Sequence, residues 1–224
     1  MMKDLFKLKT AKSVNGKSID LYLYESEKNN PLNILFVGVT HGEEPQGGFL
    51  ISEFLEEIRR NKPSFKNHLY FLPCLNPDGK AVNKRGNAND VDLNRNFRTE
   101  NWIETVFEDG LISGTCPQSE PETCFLTQII EDYNFDVILS IHAPFRVVNF
   151  DGPAKKIAEE ISKITNYPVQ EDLGYPTPGS FGTFCGKEKN IPVITLELPD
   201  NETDENLWLQ NQKVFYYLAD LDTL

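Results

Sequence analysis

Four short apolar runs stand out along the chain, and between them apolar positions recur at helical spacing. Asn33 to Thr40 (NILFVGVT) is nearly continuous in apolar residues, as expected of a strand covered on both faces. His68 to Leu75, Val137 to Ile141 and Ile191 to Leu198 read the same way. From Gln46 to Arg60, Phe49, Leu50, Phe54, Leu55 and Ile58 fall on one helical stripe. Ser119 to Tyr133 predicts a second helix, with capping residues and a first-turn proline in Ser119-Glu120-Pro121-Glu122. Pro153 to Thr165 and Glu202 to Leu221 predict two more. Residues 5–14 and 18–25 flank Asn15-Gly16-Lys17 and predict an N-terminal hairpin. Asn76-Pro77-Asp78-Gly79 is a strong turn signal, residues 80–118 are polar and irregular, and Gly174 to Gly182 is a loop rich in proline and glycine. Apolar strands alternating with helices predict an α/β fold around a largely parallel sheet. No repeat, low-complexity tract or linker divides the chain, so residues 1–224 read as a single domain.

Composition narrows the class. At 224 residues, 39% hydrophobic and 11% aromatic, the chain can bury a sizeable core. Its 34 acidic and 22 basic residues give a net charge of −12, which repels nucleic acid and anionic membranes alike. No stretch has the apolar length of a membrane span, and the first residues carry charges where a signal peptide needs an apolar run, so a cytoplasmic protein is expected. Cys74, Cys116, Cys124 and Cys185 have no metal-site spacing and read as free thiols, mostly core fillers.

Polar residues gather at the carboxyl ends of the apolar runs, where open α/β sheets bind their ligands. His41 and Glu44 follow the first run, Asn76-Pro77-Asp78-Gly79 the second and His142 the third, while Glu197 lies near the end of the fourth. A His and a Glu three residues apart, placed at the opening of a helix, can share a face. With a distant His they make the two-His-one-carboxylate set of catalytic zinc enzymes. His142 is the better third ligand, because His68 begins a strand and reads as a surface or structural histidine. Glu43 is an alternative to Glu44, which the spacing favours. Residues 84–98 read either as a solvated loop or as a binding element, because they concentrate Lys84, Arg85, Arg95 and Arg98 in an acidic protein. A planar guanidinium grips a carboxylate in bidentate fashion, which makes Arg95 a candidate substrate clamp and Arg85 a candidate oxyanion partner. A carboxylate inside an apolar strand is costly, so Glu197 is a candidate general base rather than a surface acid.

Taken together, His41-Gly42-Glu43-Glu44, Asn76-Pro77-Asp78-Gly79, Arg85, Val91-Asp92-Leu93-Asn94-Arg95-Asn96-Phe97, Ser140-Ile141-His142 and Thr195-Leu196-Glu197-Leu198 resemble, in order, the motifs of the zinc carboxypeptidase family. Ser113-Gly114, Ser119-Glu120-Pro121-Glu122-Thr123, the segment Gly174 to Thr183 and the final Glu-Leu-Pro are similar to its bacterial murein peptide amidase branch, and a short chain without a pro-segment fits that branch. The resemblance spans roughly residues 33–200. It implies a mixed, largely parallel central sheet flanked by helices. It also implies one zinc ion held by His41, Glu44 and His142, with Asp92 orienting His41 from behind. Asn94 and Arg95 would hold the substrate's terminal carboxylate, Arg85 the oxyanion, and Glu197 would be the base. Tyr175, before Gly179-Ser180, would belong to the substrate loop, at a spacing that differs from the family's mobile tyrosine. The implied substrate is a small murein peptide, cut at its γ-D-glutamyl–meso-diaminopimelate bond during cell-wall recycling. A carboxypeptidase or N-acyl amino acid deacylase on the same scaffold, and a non-catalytic binder of murein peptides, remain as alternatives.

Overall fold

The computed structural model describes residues 5–172 and 174–222. Its elements in chain order are β1 (Leu5–Lys12), β2 (Ser18–Tyr24), β3 (Asn33–Gly38), α1 (Gln46–Asn61), β4 (His68–Leu72), α2 (Pro77–Val82), α3 (Pro121–Asp132), β5 (Val137–His142), β6 (Phe145–Asp151), α4 (Lys155–Thr165), β7 (Val169–Gln170), β8 (Val193–Pro199) and α5 (Asp204–Ala219). A short 3-10 turn covers Leu93–Arg95, and a wide π-type turn covers Thr183–Glu188.

The strands form an eight-stranded mixed sheet in the order β1-β2-β4-β3-β5-β8-β6-β7. The apolar runs read from the sequence are its four central strands, β4, β3, β5 and β8, all parallel. Their runs are continuous because both faces are covered. On one face Ile34, Phe36, Leu139, Leu196 and Leu198 meet the apolar stripes of α1, α4 and α5. Phe36 stacks between Phe71 and Phe215 there, at 5.1 and 5.3 Å between ring centroids. On the other face Leu35, Val37, Ile138 and Val193 meet α3, Leu93, Phe97, Phe181 and Phe184. Antiparallel neighbours flank the central strands on both sides, the β1–β2 hairpin on β4 and β6 on β8, and β7 pairs parallel to β6 at the second edge.

Several local expectations are corrected. Asn76-Pro77-Asp78-Gly79 opens helix α2 rather than a turn: the Asn76 side chain accepts from Gly79 N–H at 2.8 Å, and Pro77 lies in the first turn. Turn and helix-start signals share these residues. Helix α3 begins at Pro121 without a side-chain cap, because Ser119 and Glu120 are engaged elsewhere, with Asn96 and with Asn87 and Asn89. Strands β6 and β7 occupy a stretch to which no element was assigned. Two of the four cysteines, Cys116 and Cys124, are exposed rather than core fillers, while Cys185 is buried.

Candidate functional site

The chain leaves β3 through Val39 and Thr40 and makes a turn in which Glu44 N–H donates to His41 C=O at 3.2 Å. His41 and Glu44 therefore face each other across the turn that leads directly into α1. The turn sits against the start of α2. A Cβ at Gly42 would lie 2.1 Å from the Gly79 carbonyl carbon, so only glycine permits this approach. Gly42 N–H donates to Arg85 C=O, and Asn76 Nδ2 reaches the same carbonyl and that of Thr40.

His142 ends β5 in register with Glu197 of β8, on neighbouring parallel strands. Strand alternation puts Ser140, His142, Thr195 and Glu197 on the face opposite Leu139, Ile141, Leu196 and Leu198. Two expectations made from separate stretches of sequence thus meet on one sheet face. Nδ1 of His41 lies 2.8 Å from one oxygen of Glu44, and Nδ1 of His142 lies 2.9 Å from the other. The three residues are buried, and each offers one ligand atom within 4.8 Å of the others. Two imidazole nitrogens and a carboxylate oxygen are the donors that zinc takes in catalytic sites, so the residues present fit such an ion. His68 is elsewhere: its Nδ1 accepts from Ser26 N–H at 3.0 Å, a structural role.

Asp92 lies behind His41, with Oδ1 3.2 Å from Nε2, while Oδ2 accepts from Arg85 Nε at 3.0 Å. Arg85 Nη1 is 3.5 Å from Glu44 and 3.8 Å from Glu43, so Glu43 is a partner of Arg85 rather than a member of the buried trio. Burial opposes charge on His41, yet the carboxylates of Glu44 and Asp92 outweigh it and push its pKa up to about 9. Burial also opposes charge on Glu44 and Asp92. There His41, joined by His142 at Glu44 and by Arg85 and Arg95 at Asp92, holds both carboxyls well below the usual range. For Glu197 burial prevails over the attraction of His142, and its pKa is raised. Its Oε2 is buried and makes no hydrogen bond among the described residues.

The polar segment of residues 84–98 is a rigid part of the wall rather than a solvated loop. Asp92, Arg95, Asn96 and Phe97 are buried, and the Arg95 guanidinium donates to Asn94 C=O at 2.7 Å. Lys84 and Arg98 are exposed and stand apart from Arg85 and Arg95, so the basic cluster divides. The Pro/Gly-rich loop is pinned onto this segment: Phe181 N–H donates to Asn94 Oδ1, Phe97 N–H to Gly179 C=O, and the Phe97 and Phe181 rings pack at 5.1 Å. Tyr175, on that loop, is 42% exposed and lies within the electrostatic reach of Arg95, Glu197 and Arg85.

His41, Glu44, Arg85, Asn94, Arg95, His142, Tyr175 and Glu197 all line one cavity of about 1430 Å³. Sequence reasoning missed its far wall, built by Asn149 and Asp151 of β6 and by Lys187 of the π-type turn. The run Phe145-Arg-Val-Val-Asn-Phe-Asp151 carried a strand signal in its valines and phenylalanines.

Comparison with known proteins agrees with this geometry. A family model described as zinc carboxypeptidase matches residues 1–153. Murein peptide amidase A of Escherichia coli K12 is 34% identical over 198 residues, covering 84% of this chain and 78% of that protein. The protein of the same name from Vibrio campbellii is 35% identical over 205 residues, covering 86% and 79%. Among solved structures, murein-tripeptide amidase MpaA from Escherichia coli O157 superposes with a TM-score of 0.80 at 28% identity, covering 98% of this chain and 95% of that one. Thrombin activatable fibrinolysis inhibitor, at 17% identity, shares the fold with a TM-score of 0.80, covering 96% of this chain and 67% of its own.

Proposed function

The chain belongs to the zinc carboxypeptidase family and is a hydrolase that works with one zinc ion, and from that premise we propose that it cleaves the γ-D-glutamyl–meso-diaminopimelate bond of murein peptides. Support for the substrate is the likeness over most of both chains to murein peptide amidases. Support for the chemistry is one observation above all. The buried trio His41, Glu44 and His142 and the carboxyl group of Glu197 line the same cavity.

In this reading His41, Glu44 and His142 hold the zinc. When bound, the ion lowers the pKa of a water toward about 7 and polarises a carbonyl. Glu197 takes the proton of the attacking water and returns it to the departing amine. Arg85, fixed through Nε by Asp92, presents its charge to the oxyanion. Arg95 and Asn94 bind the carboxylate beyond the scissile bond and so select which amide is presented. Tyr175 closes over the substrate from the pinned loop. The chain acts as a single domain in the cytoplasm, on fragments of recycled cell wall. The unpaired state of all four cysteines accords with a reducing compartment.

The test is a zinc-loaded assay on L-Ala-γ-D-Glu-meso-diaminopimelate with the Glu197→Gln variant beside the wild type. Wild-type protein releases diaminopimelate, while the variant retains zinc and loses activity by about 10²–10⁴-fold. Release of C-terminal residues from ordinary L-peptides, with the murein tripeptide untouched, overturns the substrate. Full activity in the variant overturns the base.

A further inference from the structure

We propose that Asp151 and Lys187 form the subsite for the distal amino-acid head of the substrate, Asp151 taking its ammonium and Lys187 its carboxylate. This inference rests on the diaminopimelate reading above. Diaminopimelate carries two amino-acid ends joined by three methylene groups. The catalytic residues account for the end nearest the scissile bond, and the other end is a zwitterion that must be desolvated or matched.

The fold places a match at a suitable reach. Strand β6 runs antiparallel to β8, with Val147 opposite Glu197, Asn149 opposite Thr195 and Asp151 opposite Val193. Residues facing each other across a ladder share a face, so Asp151 lies on the same floor as Glu197. It is about four residues, or ~13 Å, farther along the strands. That separation accommodates an attacked carbonyl, a short methylene chain and a charged head laid along the floor.

The π-type turn then shapes the subsite. A Cβ at Gly182 would lie 2.1 Å from Asp151 Oδ2, and one at Gly186 would lie 2.4 Å from Asp151 Cβ. Two glycines four residues apart let the turn close onto the Asp151 side chain and hold it in the wall. Wide turns of this kind are frequent at functional sites. The next residue is Lys187, whose Nζ is 3.3 Å from Asp151 Oδ1. The aspartate side chain is 15% exposed and the lysine 62%, so the acid is fixed and the base can swing. An ion pair this open is weak, and a ligand can replace it at little cost. An anion and a cation one hydrogen bond apart are complementary to an ammonium and a carboxylate on the same carbon.

The two halves of the pair are separable with two peptides. L-Ala-γ-D-Glu-meso-diaminopimelate carries both distal charges, and L-Ala-γ-D-Glu-L-Lys carries only the ammonium. Lys187→Met is expected to lower the preference for the first peptide over the second by about tenfold, read in KM with kcat nearly constant, and Lys187→Arg to restore it. Asp151→Asn is expected to raise KM for both peptides by about tenfold. An unchanged preference in Lys187→Met, with the wild type still cleaving the diaminopimelate peptide, overturns the subsite and leaves the proposed function standing. Failure of the wild type on the diaminopimelate peptide overturns both.

Discussion

At the scale of single residues, Asp92 positions two functions with one carboxylate. Its Oδ1 faces His41 Nε2 and its Oδ2 holds Arg85 Nε, so the ligand's tautomer and the guanidinium's position depend on the same side chain. Asp92→Asn is therefore expected to weaken zinc binding by about 10–100-fold in competition with a chromophoric chelator. It should lower kcat/KM further, because Arg85 is loosened as well. The metal-free trio also makes a prediction about protons. His41, with a pKa near 9, carries a proton at neutral pH that zinc must displace, whereas Glu44 is already ionised. Zinc uptake near neutrality should release about one proton, and affinity should rise with pH until His41 has titrated. Calorimetry in buffers of different ionisation enthalpy measures this, and uptake without proton release contradicts it. The sequence showed the candidate ligands and base because they are His and Glu residues at the ends of apolar runs. It did not show Asp151 and Lys187, whose pairing depends on a strand and a turn that bring distant residues together.

At the scale of elements, the central strands were legible because burial on both faces demands uninterrupted apolar runs. Strand β6 was not, since one of its faces lines a cavity and carries Asn149 and Asp151 among its apolar residues. The segment of residues 80–118 was legible as polar and irregular but not as ordered. Its order comes from buried amides that no periodicity announces. Asn96 Nδ2 lies within hydrogen-bond distance of Ser113 C=O, Cys116 C=O and Ser119 Oγ, and its Oδ1 accepts from Glu120 N–H and Thr123 Oγ1. This residue ties the segment bearing Arg95 to the start of α3. Asn96→Ala should cost about 1–3 kcal/mol for each buried group left without a partner, seen as a lower midpoint in urea denaturation. Because Arg95 is its neighbour, KM should rise before kcat falls. A variant as stable as the wild type would mean that the segment is held by its apolar contacts instead.

Across the whole molecule, composition sets the fold a demand. A chain of net charge −12 must admit a peptide carrying several carboxylates. Arg85, Arg95 and Lys187 are set among seven carboxylates on the cavity wall, so the substrate's carboxylates are met by individually placed cations rather than by a positive wall. The mixed sheet makes this arrangement possible. Its parallel strands deliver His41, His142 and Glu197 to one rim, and its antiparallel neighbour β6 extends the same floor away from them. Chemistry and recognition are thereby laid end to end on one face. All of it requires a single ion at the rim. Zinc-loaded crystals examined by anomalous scattering at the zinc edge should show one peak per chain, about 2.0–2.2 Å from His41 Nδ1, His142 Nδ1 and a Glu44 oxygen. A peak held instead by the exposed thiols of Cys116 and Cys124, with those three side chains unligated, would contradict the hydrolase described here.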